Sequence, residues 1–234
     1  MPTTNDHGQL VGDRVEGWTP RPRPEPVRLE GRYVVLEPLT AAHAPALHAA
    51  LCGSDDADLW TYRTTEPPAD LEAMTALVEG VVVDPGLVTF VLRPDGGEPA
   101  GLVSYLRIDP VTGSIEVGSI LLGRSLQRTT AATEAIHLLM AHAFDTLGYR
   151  RFEWKCDALN EPSRRAADRL GFHYEGRFRQ HLVVKGRNRD TDWFSVTDTE
   201  WPVVRRAHEE WLAPENFDAE GVQRTPLQRV ASPG

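Results

Sequence analysis

A single carboxylate in an apolar stretch is the first residue of this sequence that could do chemistry. Glu116 is the only ionisable residue between Ser114 and Leu122. The apolar, β-branched run around it predicts a strand, in which alternation places Glu116 on the face opposite Ile115 and Val117. A carboxylate half-buried on such a face can have a raised pKa and accept a proton as a general base. The alternative is a carboxylate that faces solvent or pairs with an arginine.

The residues after this strand are suited to binding an anion. The strand breaks at Gly123, and small and polar residues from Gln127 to Ala132 open a helix whose apolar residues fall four apart. The first turn of a helix has unpaired N–H groups and the positive end of the helix dipole, so it attracts anions. Arg124 and Arg128 add positive charge at the same place. We therefore expect a phosphate group to bind at this turn.

The strand, the Gln-x-x-x-x-Ala turn and the helix together resemble the acyl-CoA-binding core of the GNAT superfamily of N-acetyltransferases. The RimJ/RimL branch is the most similar, through three motifs: Thr133-Glu134-Ala135, Asn160-x-x-Ser163 and Leu170-Gly171-Phe172. The motifs recur in order from about Arg28 to Trp201. One position departs from the family, because Thr130 stands where the first glycine of the turn is expected. A glycine there lets the backbone approach a pyrophosphate closely, whereas a threonine crowds it.

The resemblance implies a fold and a cofactor. The fold class would be α+β (mixed α/β), a single domain in which a splayed mixed sheet is flanked by helices. The central strand and the strand after the main helix would diverge, and the pantetheine arm of acetyl-CoA, the acyl donor, would lie between them. The residues expected to bind this donor are Ile120, Leu121, Leu122, Gln127, Arg128, Thr129, Thr130, Ala131, Ala132, Thr133, Asn160 and Ser163.

Acetyl transfer to an amine, as the resemblance implies it, sets three chemical tasks. The amine must lose a proton, an oxyanion must meet hydrogen-bond donors, and a thiolate must be stabilised as it leaves. Glu116 would take the proton, and a backbone N–H between Ile120 and Leu122 would meet the oxyanion. The serine that matches Ser163 lies near the thioester sulfur in the RimJ/RimL branch, so Ser163 would donate a hydrogen bond to the thiolate. The segment from Asn160 could instead serve only as a helix cap.

The implied activity is that of an acetyl-CoA-dependent N-acetyltransferase. Its acceptor would be a primary amine: a protein N-terminus, an aminoacyl conjugate or a small molecule. Trp60 and Tyr62, aromatic residues in a polar loop, are expected to contact this acceptor together with Tyr105. Packing beneath the loop is an alternative for the loop aromatics. A catalytically silent acyl-CoA-binding sensor is the competing function, because Thr130 departs from the family pattern and no histidine base is evident.

Charge and composition bear on the partners. The net charge of −9 argues against a general nucleic-acid binder. Lys and Arg outnumber Asp and Glu by 13 to 7 between Gly123 and Arg189, whereas the rest of the chain is acidic. This distribution suits an anionic cofactor beside an amine-bearing substrate, although chance clustering of surface charges would look the same. No apolar run has membrane-spanning length, so we expect a cytoplasmic protein without a membrane partner, and homodimerisation is left open.

The remaining patterns predict the organisation of the chain. Two cysteines and widely spaced histidines predict neither a disulfide framework nor a metal site. Residues 1–26 read as a flexible proline-rich arm, 27–201 as the acetyltransferase domain, and 202–234 as a C-terminal helix and tail. Pro94-Asp-Gly-Gly97 predicts the turn of a hairpin.

Overall fold

An eight-stranded mixed sheet lies at the centre of the protein. The computed structural model describes residues 3–227. The strands are β1 (Thr3–Thr4), β2 (Leu10–Val11), β3 (Leu29–Glu30), β4 (Val34–Pro38), β5 (Val88–Pro94), β6 (Gly101–Asp109), β7 (Ser114–Leu122), β8 (Arg151–Asp157), β9 (His173–Val184) and β10 (Arg187–Thr197). The helices are α1 (Ala44–Leu51), α2 (Leu71–Val83), α3 (Thr130–Ala141), α4 (Glu161–Arg169) and α5 (Trp201–Leu212). A π-helical turn, His142–Thr146, continues α3.

The order of the strands confirms the predicted fold class. The eight-stranded sheet runs β3-β4-β5-β6-β7-β8-β10-β9, and β1 and β2 form a separate hairpin. Neighbouring strands in the large sheet are antiparallel, except that β7 and β8 are parallel. The hairpin predicted at Pro94-Asp-Gly-Gly97 joins β5 to β6. Helices lie on both faces of this mixed, mainly antiparallel sheet, which makes the fold α+β in the mixed sense expected.

Successive side chains of the central strands point to opposite sides of the sheet, and both sides are covered by helices. On one side, Leu102 of β6 packs with Leu47 of α1 and Met74 of α2. On the other, Val103 of β6 packs with Leu139 of α3. We call these two sides the α1/α2 face and the α3 face.

The parallel strands β7 and β8 pair only where they begin. Four residues of β7, Ser114–Val117, are in register with Arg151–Trp154 of β8. Beyond them, β7 continues beside β6 while β8 continues beside β10. Ser119 has a φ of 50° at an irregularity in the pairing of β7 with β6, and such a bulge bends a strand. The two central strands therefore diverge, which confirms the splayed sheet that the resemblance implied.

A buried carboxylate ties α3 to the start of β4. Glu134 accepts hydrogen bonds from the backbone amides of Arg32, Tyr33 and Val34 at 2.9, 2.6 and 2.9 Å. The adjoining glycine is required by this contact, because a Cβ on Gly31 would lie 2.3 Å from Oε2 of Glu134. The Thr-Glu-Ala motif of the helix thus contributes a structural bond at Glu134, which fixes α3 against the sheet.

The proline-rich arm is docked at its C-terminal end and differs there from the flexible segment expected for 1–26. Nε1 of Trp18 donates to the carbonyl of Val111, in the turn between β6 and β7, over 2.9 Å. The guanidinium of Arg21 lies 4.4 Å from the centre of the Trp18 ring. The hydroxyl of Tyr149 donates to the carbonyl of Pro22 over 3.1 Å. The first two residues of the arm lie outside the described range.

The C-terminal segment belongs to the same core, so the boundary expected after residue 201 is not a structural one. Trp201 is the first residue of α5, and it is buried with Val204, Trp211 and Leu227 in the core on the α3 face. Residues 228–234 of the expected tail lie outside the described range. Within residues 3–227, no helix is long and apolar enough to cross a membrane.

Candidate functional site

Glu116 lies on the α1/α2 face of β7, just before the two central strands diverge. Its side chain is buried, and its neighbours Ile115 and Val117 point into the core on the α3 face, as alternation predicted. Oε2 of Glu116 lies 2.9 Å from Nζ of Lys155 and 3.4 Å from Nε of Arg107. Burial raises the pKa of Glu116 above its ordinary value, and the two cations oppose that rise. Glu116 is thus a buried carboxylate within an ion-pair cluster.

Lys155 of β8 is the centre of that cluster, and sequence reasoning missed it. Its side chain is only 5% exposed, and its Nζ also lies 2.9 Å from Oε2 of Glu153. The same Nζ lies 3.4 Å from the centre of the Trp193 ring, a short cation–π contact. Glu153 is in turn 2.7 Å from Nε of Arg151. The run from Arg151 to Asp157 alternates charged and apolar residues. This alternation was the available signal that Lys155 shares a face with Glu153.

The turn before α3 has free amides, as an anion site requires. The hydroxyl of Thr129 caps the helix by accepting from the amide of Ala132 over 3.2 Å. The amides of Thr130 and Ala131 lie in the first turn of α3, where no preceding helical turn supplies a carbonyl to bond them. Arg128 is exposed and has a φ of 60°, in the left-handed region. Gln127 donates from Nε2 to the carbonyl of Leu122 over 3.1 Å, which closes the turn onto the end of β7.

Two charged or polar residues near this turn are engaged elsewhere. Arg124, expected to add charge for the phosphate, instead pairs with Asp56 over 2.9 Å and with Asp58 over 2.5 Å. Thr133, expected to bind the donor, is buried, and its hydroxyl accepts from Arg169 of α4 over 2.6 Å. The hydroxyl of Thr133 is therefore occupied by the contact with α4.

The apolar members of the expected donor site can offer mainly their backbone. Leu121 is buried on the α1/α2 face, whereas Ile120 and Leu122 are partly buried against the core on the α3 face. Ala131 is buried, and Ala132 and Thr130 are half-buried in the first turn of α3. The structure brings these residues together at the wide end of the gap, because β7 ends at Leu122 and leads directly into the turn.

Ser163 lies at the start of α4, the helix that follows β8. Its amide donates to Oδ1 of Asn160 over 3.1 Å, so Asn160 caps the helix. Its Oγ accepts from Nε1 of Trp154 over 3.1 Å. Burial raises the pKa of the nearby Cys156 thiol to about 11, and a hydrogen bond from the Ser163 hydroxyl opposes that rise. Trp154 and Cys156 belong to the core on the α3 face, so Ser163 and Glu116 lie on opposite sides of the sheet.

The three aromatic residues expected at the acceptor site have different environments. Trp60 is buried among α1 and α2, where its Nε1 donates to the carbonyl of Leu51 over 2.9 Å. Tyr105 is also fully buried, because it points to the α3 face, and its hydroxyl donates to the carbonyl of Leu139 over 2.7 Å. Neither placement supports contact with a substrate. Tyr62 is exposed, and its hydroxyl donates to the carbonyl of Leu159 over 3.0 Å.

The loop that carries Tyr62 touches the long hairpin formed by β9 and β10. Nζ of Lys185, at the tip of the hairpin, donates to the carbonyl of Trp60 over 2.9 Å and lies 3.1 Å from Oε2 of Glu66. Trp60 of this loop packs in the core on the α1/α2 face, and Trp193 of the hairpin lies on the same face beside Lys155. The loop and the hairpin therefore border the side of the sheet that carries Glu116. An acceptor that approaches Glu116 would meet this border, and Tyr62 is the expected acceptor residue that remains accessible there.

Comparison with known proteins finds relatives over most of the chain. The family described as "Acetyltransferase (GNAT) domain" matches residues 34–173. The crystal structure of a GCN5-related N-acetyltransferase from Brucella melitensis is 48% identical, with a TM-score of 0.89 over 91% of this chain and 97% of that one. A GNAT-family structure from Chromobacterium violaceum, described as a probable acetyltransferase, is 36% identical, with a TM-score of 0.77 over 82% of this chain and 96% of that one.

Curated relatives match over a shorter stretch. The uncharacterized N-acetyltransferase p20 of Bacillus licheniformis is 33% identical over 104 residues, which are 44% of this chain and 58% of p20. YdaF of Bacillus subtilis is 30% identical over 105 residues, which are 45% of this chain and 57% of YdaF. The chain therefore spans a little over half the length of these two curated relatives.

Proposed function

The chain belongs to the GNAT family of acetyltransferases, and from this premise we propose that it transfers an acetyl group from acetyl-CoA to a primary amine. The acceptor would be a protein N-terminus, an aminoacyl conjugate or a small-molecule amine. We assign it to the RimJ/RimL branch, which the Asn160 cap before Ser163 and the buried Glu134 of α3 support. We also propose that it works in the cytoplasm.

One arrangement carries this proposal: the gap between β7 and β8. At its wide end, the free amides of the turn before α3 and the exposed Arg128 fit the pyrophosphate of acetyl-CoA. At its narrow end lies Glu116, a carboxylate buried on the α1/α2 face. The hydroxyl of Ser163 lies beside Trp154 of β8, on the α3 face. An anion site, a base and a hydrogen-bond donor for sulfur would thus serve one opening in the sheet.

Each of these residues would have one task in the reaction. Acetyl-CoA supplies a thioester carbonyl, which the amine nitrogen attacks directly while the carbon–sulfur bond breaks. Glu116 accepts the proton that the nitrogen loses, through a water if the distance requires it. A backbone amide of β7 between Ile120 and Leu122 stabilises the oxyanion. Ser163 donates a hydrogen bond to the departing sulfur. It does not transfer its proton, because a serine hydroxyl is a much weaker acid than a thiol.

A panel of amines with acetyl-CoA tests this function. Release of free thiol, which depends on the amine, is the expected result, and the panel should hold peptides with free N-termini, aminoacyl conjugates and small amines. Binding of CoA without turnover of any amine would contradict the proposal and favour a silent acyl-CoA sensor. The crowding expected from Thr130 makes the binding measurement worth including.

Replacing the base tests the mechanism. We expect Glu116→Gln to lower kcat by roughly 10²–10⁴, the usual contribution of a general base. The remaining rate should rise with pH, because free amine then becomes available without assistance. A pH series of initial rates measures this effect. Wild-type rates for the variant across the pH range would remove Glu116 from the mechanism and leave it a structural ion-pair partner.

A further inference from the structure

We infer that Lys155 is a positioning residue, which holds the Glu116 carboxylate ionised and in place at the point where β7 and β8 separate. Nζ of Lys155 lies 2.9 Å from a carboxylate oxygen of Glu116 and 2.9 Å from one of Glu153. The aromatic ring of Trp193 covers the same ammonium at 3.4 Å. Three different strands, β7, β8 and β10, therefore fix this cation, and its position leaves little freedom to the carboxylate of Glu116. The inference rests on the proposed function, because it concerns the base of that reaction.

The register of the strands gives the ion pair its place. The last paired residues of β7 and β8 are Val117 and Trp154, so Lys155 is the first residue of β8 beyond the parallel ladder. The Lys155–Glu116 contact thus joins the two strands where their backbone pairing stops. An acceptor amine that reaches the gap would meet a carboxylate whose direction is set by this contact.

The charges around Glu116 explain why Lys155 rather than another cation has this role. Burial alone raises the pKa of the Glu116 carboxyl, and Glu153 on β8 raises it further. Lys155 is the strongest opposing influence, and Arg107 on β6 is the other. Arg107 is about half exposed and lies 3.4 Å away, so solvent screens its charge. Without Lys155, the carboxyl would be buried beside another carboxylate and would hold its proton to a higher pH.

Trp193 has a supporting part in the same device. Residue 193 is opposite Lys155 in the pairing of β10 with β8, so the indole is fixed by the sheet. Its ring face attracts the ammonium without offering a proton acceptor. The indole therefore holds Lys155 in the cluster without competing for its charge. Among the described residues, the anionic partners of Nζ are the carboxylates of Glu116 and Glu153.

The test is the pH dependence of kcat/KM for the full chain, with acetyl-CoA and an amine that it acetylates. We expect Lys155→Met to move the acid limb of the profile to higher pH by about one unit or more, so that activity on that limb falls roughly tenfold at a given pH and recovers as pH rises. Lys155→Arg should keep the wild-type profile. The KM for acetyl-CoA should not change. A rate lowered equally at every pH, or an unchanged profile, would overturn the inference.

Two further variants keep the test sharp if Lys155→Met folds poorly. Glu153→Gln removes the like charge and should move the acid limb to lower pH, the opposite direction. Trp193→Leu keeps the ammonium but loosens it, and should give a smaller shift to higher pH. Glu116→Gln separates the two proposals: if it has no effect, the base assignment fails, whereas if it removes activity and no Lys155 variant shifts the profile, only this inference fails.

Discussion

The hydroxyl of Ser163 accepts a hydrogen bond from Nε1 of Trp154 at its oxygen and can still donate its own hydrogen to a sulfur. The segment therefore has room for both a chemical role at Ser163 and a capping role at Asn160.

We expect Ser163→Ala to lower kcat without changing the affinity for acetyl-CoA, because the interaction forms mainly in the transition state. It should also lower the free energy of unfolding by about 1–3 kcal/mol, since the indole N–H of Trp154 loses its acceptor. Steady-state kinetics and denaturant unfolding measure the two effects.

Two controls separate chemistry from architecture. Asn160→Ala removes the cap and should cost about 0.5–2 kcal/mol of stability, with kcat falling only as far as the fold does. Trp154→Phe combined with Ser163→Ala leaves no orphaned donor, so stability should recover in part while kcat stays low. A normal kcat for Ser163→Ala would show that the serine has no part in the reaction.

At the scale of elements, the turn between β7 and α3 combines two opposing features. Its free amides and the exposed Arg128 attract an anion, whereas the left-handed backbone at Arg128 is strained for a residue that is not glycine. Thr130 begins α3 where a glycine would leave more room. The charge and the backbone conformation of this turn can be changed separately, because Arg128→Glu changes the charge and Thr130→Gly changes the backbone.

We expect Arg128→Glu to weaken CoA binding about tenfold or more, because it places a negative charge beside the pyrophosphate. Arg128→Gly removes the charge and relieves the strain, so it should weaken binding less and stabilise the fold. Thr130→Gly should leave binding intact or improve it. Calorimetric titration with CoA measures all three variants. Unchanged affinity for Arg128→Glu would place the phosphates elsewhere, and a severe loss for Thr130→Gly would make its hydroxyl a ligand.

The periodicity of the sequence predicted the strand, turn and helix at this site, and it predicted which face of β7 carries Glu116. It could not show that both faces of the central strands are covered. Tyr105 was therefore expected at the substrate, although its face packs against α3. Lys155 was missed for a related reason: its partners Glu116 and Trp193 are each 38 or more residues away in the sequence, and no local pattern joins them.

At the scale of the whole molecule, α5 completes the core on the α3 face and contributes a buried imidazole. Nε2 of His208 donates to the carbonyl of Leu170 over 3.1 Å, which makes Nδ1 the unprotonated nitrogen. The rings of His208 and His137 of α3 are 5.5 Å apart. Burial, helped by His137 and Arg169, lowers the pKa of His208 to about 3. The attachment of α5 is therefore sensitive to acid.

We expect the free energy of unfolding to fall as pH falls below 6.5, the ordinary pKa of histidine. Between pH 6.5 and about pH 3, the unfolded chain binds a proton at His208 that the folded chain does not bind. This difference lowers the free energy of unfolding by about 1.4 kcal/mol for each pH unit. Denaturant unfolding between pH 7 and pH 5 measures the slope. His208→Gln should flatten it, whereas His7→Gln, in the exposed N-terminal hairpin, should not. Parallel curves for wild type and His208→Gln would contradict this account.

Because the parallel ladder has only four residue pairs, it leaves a cleft between β7 and β8 whose occupancy affects the stability of the protein. Any molecule that occupies the cleft between β7 and β8 only in the folded state raises the free energy of unfolding by mass action, by about 2.7 kcal/mol at a hundredfold excess over its Kd. Acetyl-CoA and the CoA left after turnover would both do so. The persistence of this protein against heat and proteolysis would then follow the supply of CoA, so that a drop in that supply would lower its abundance as well as its rate.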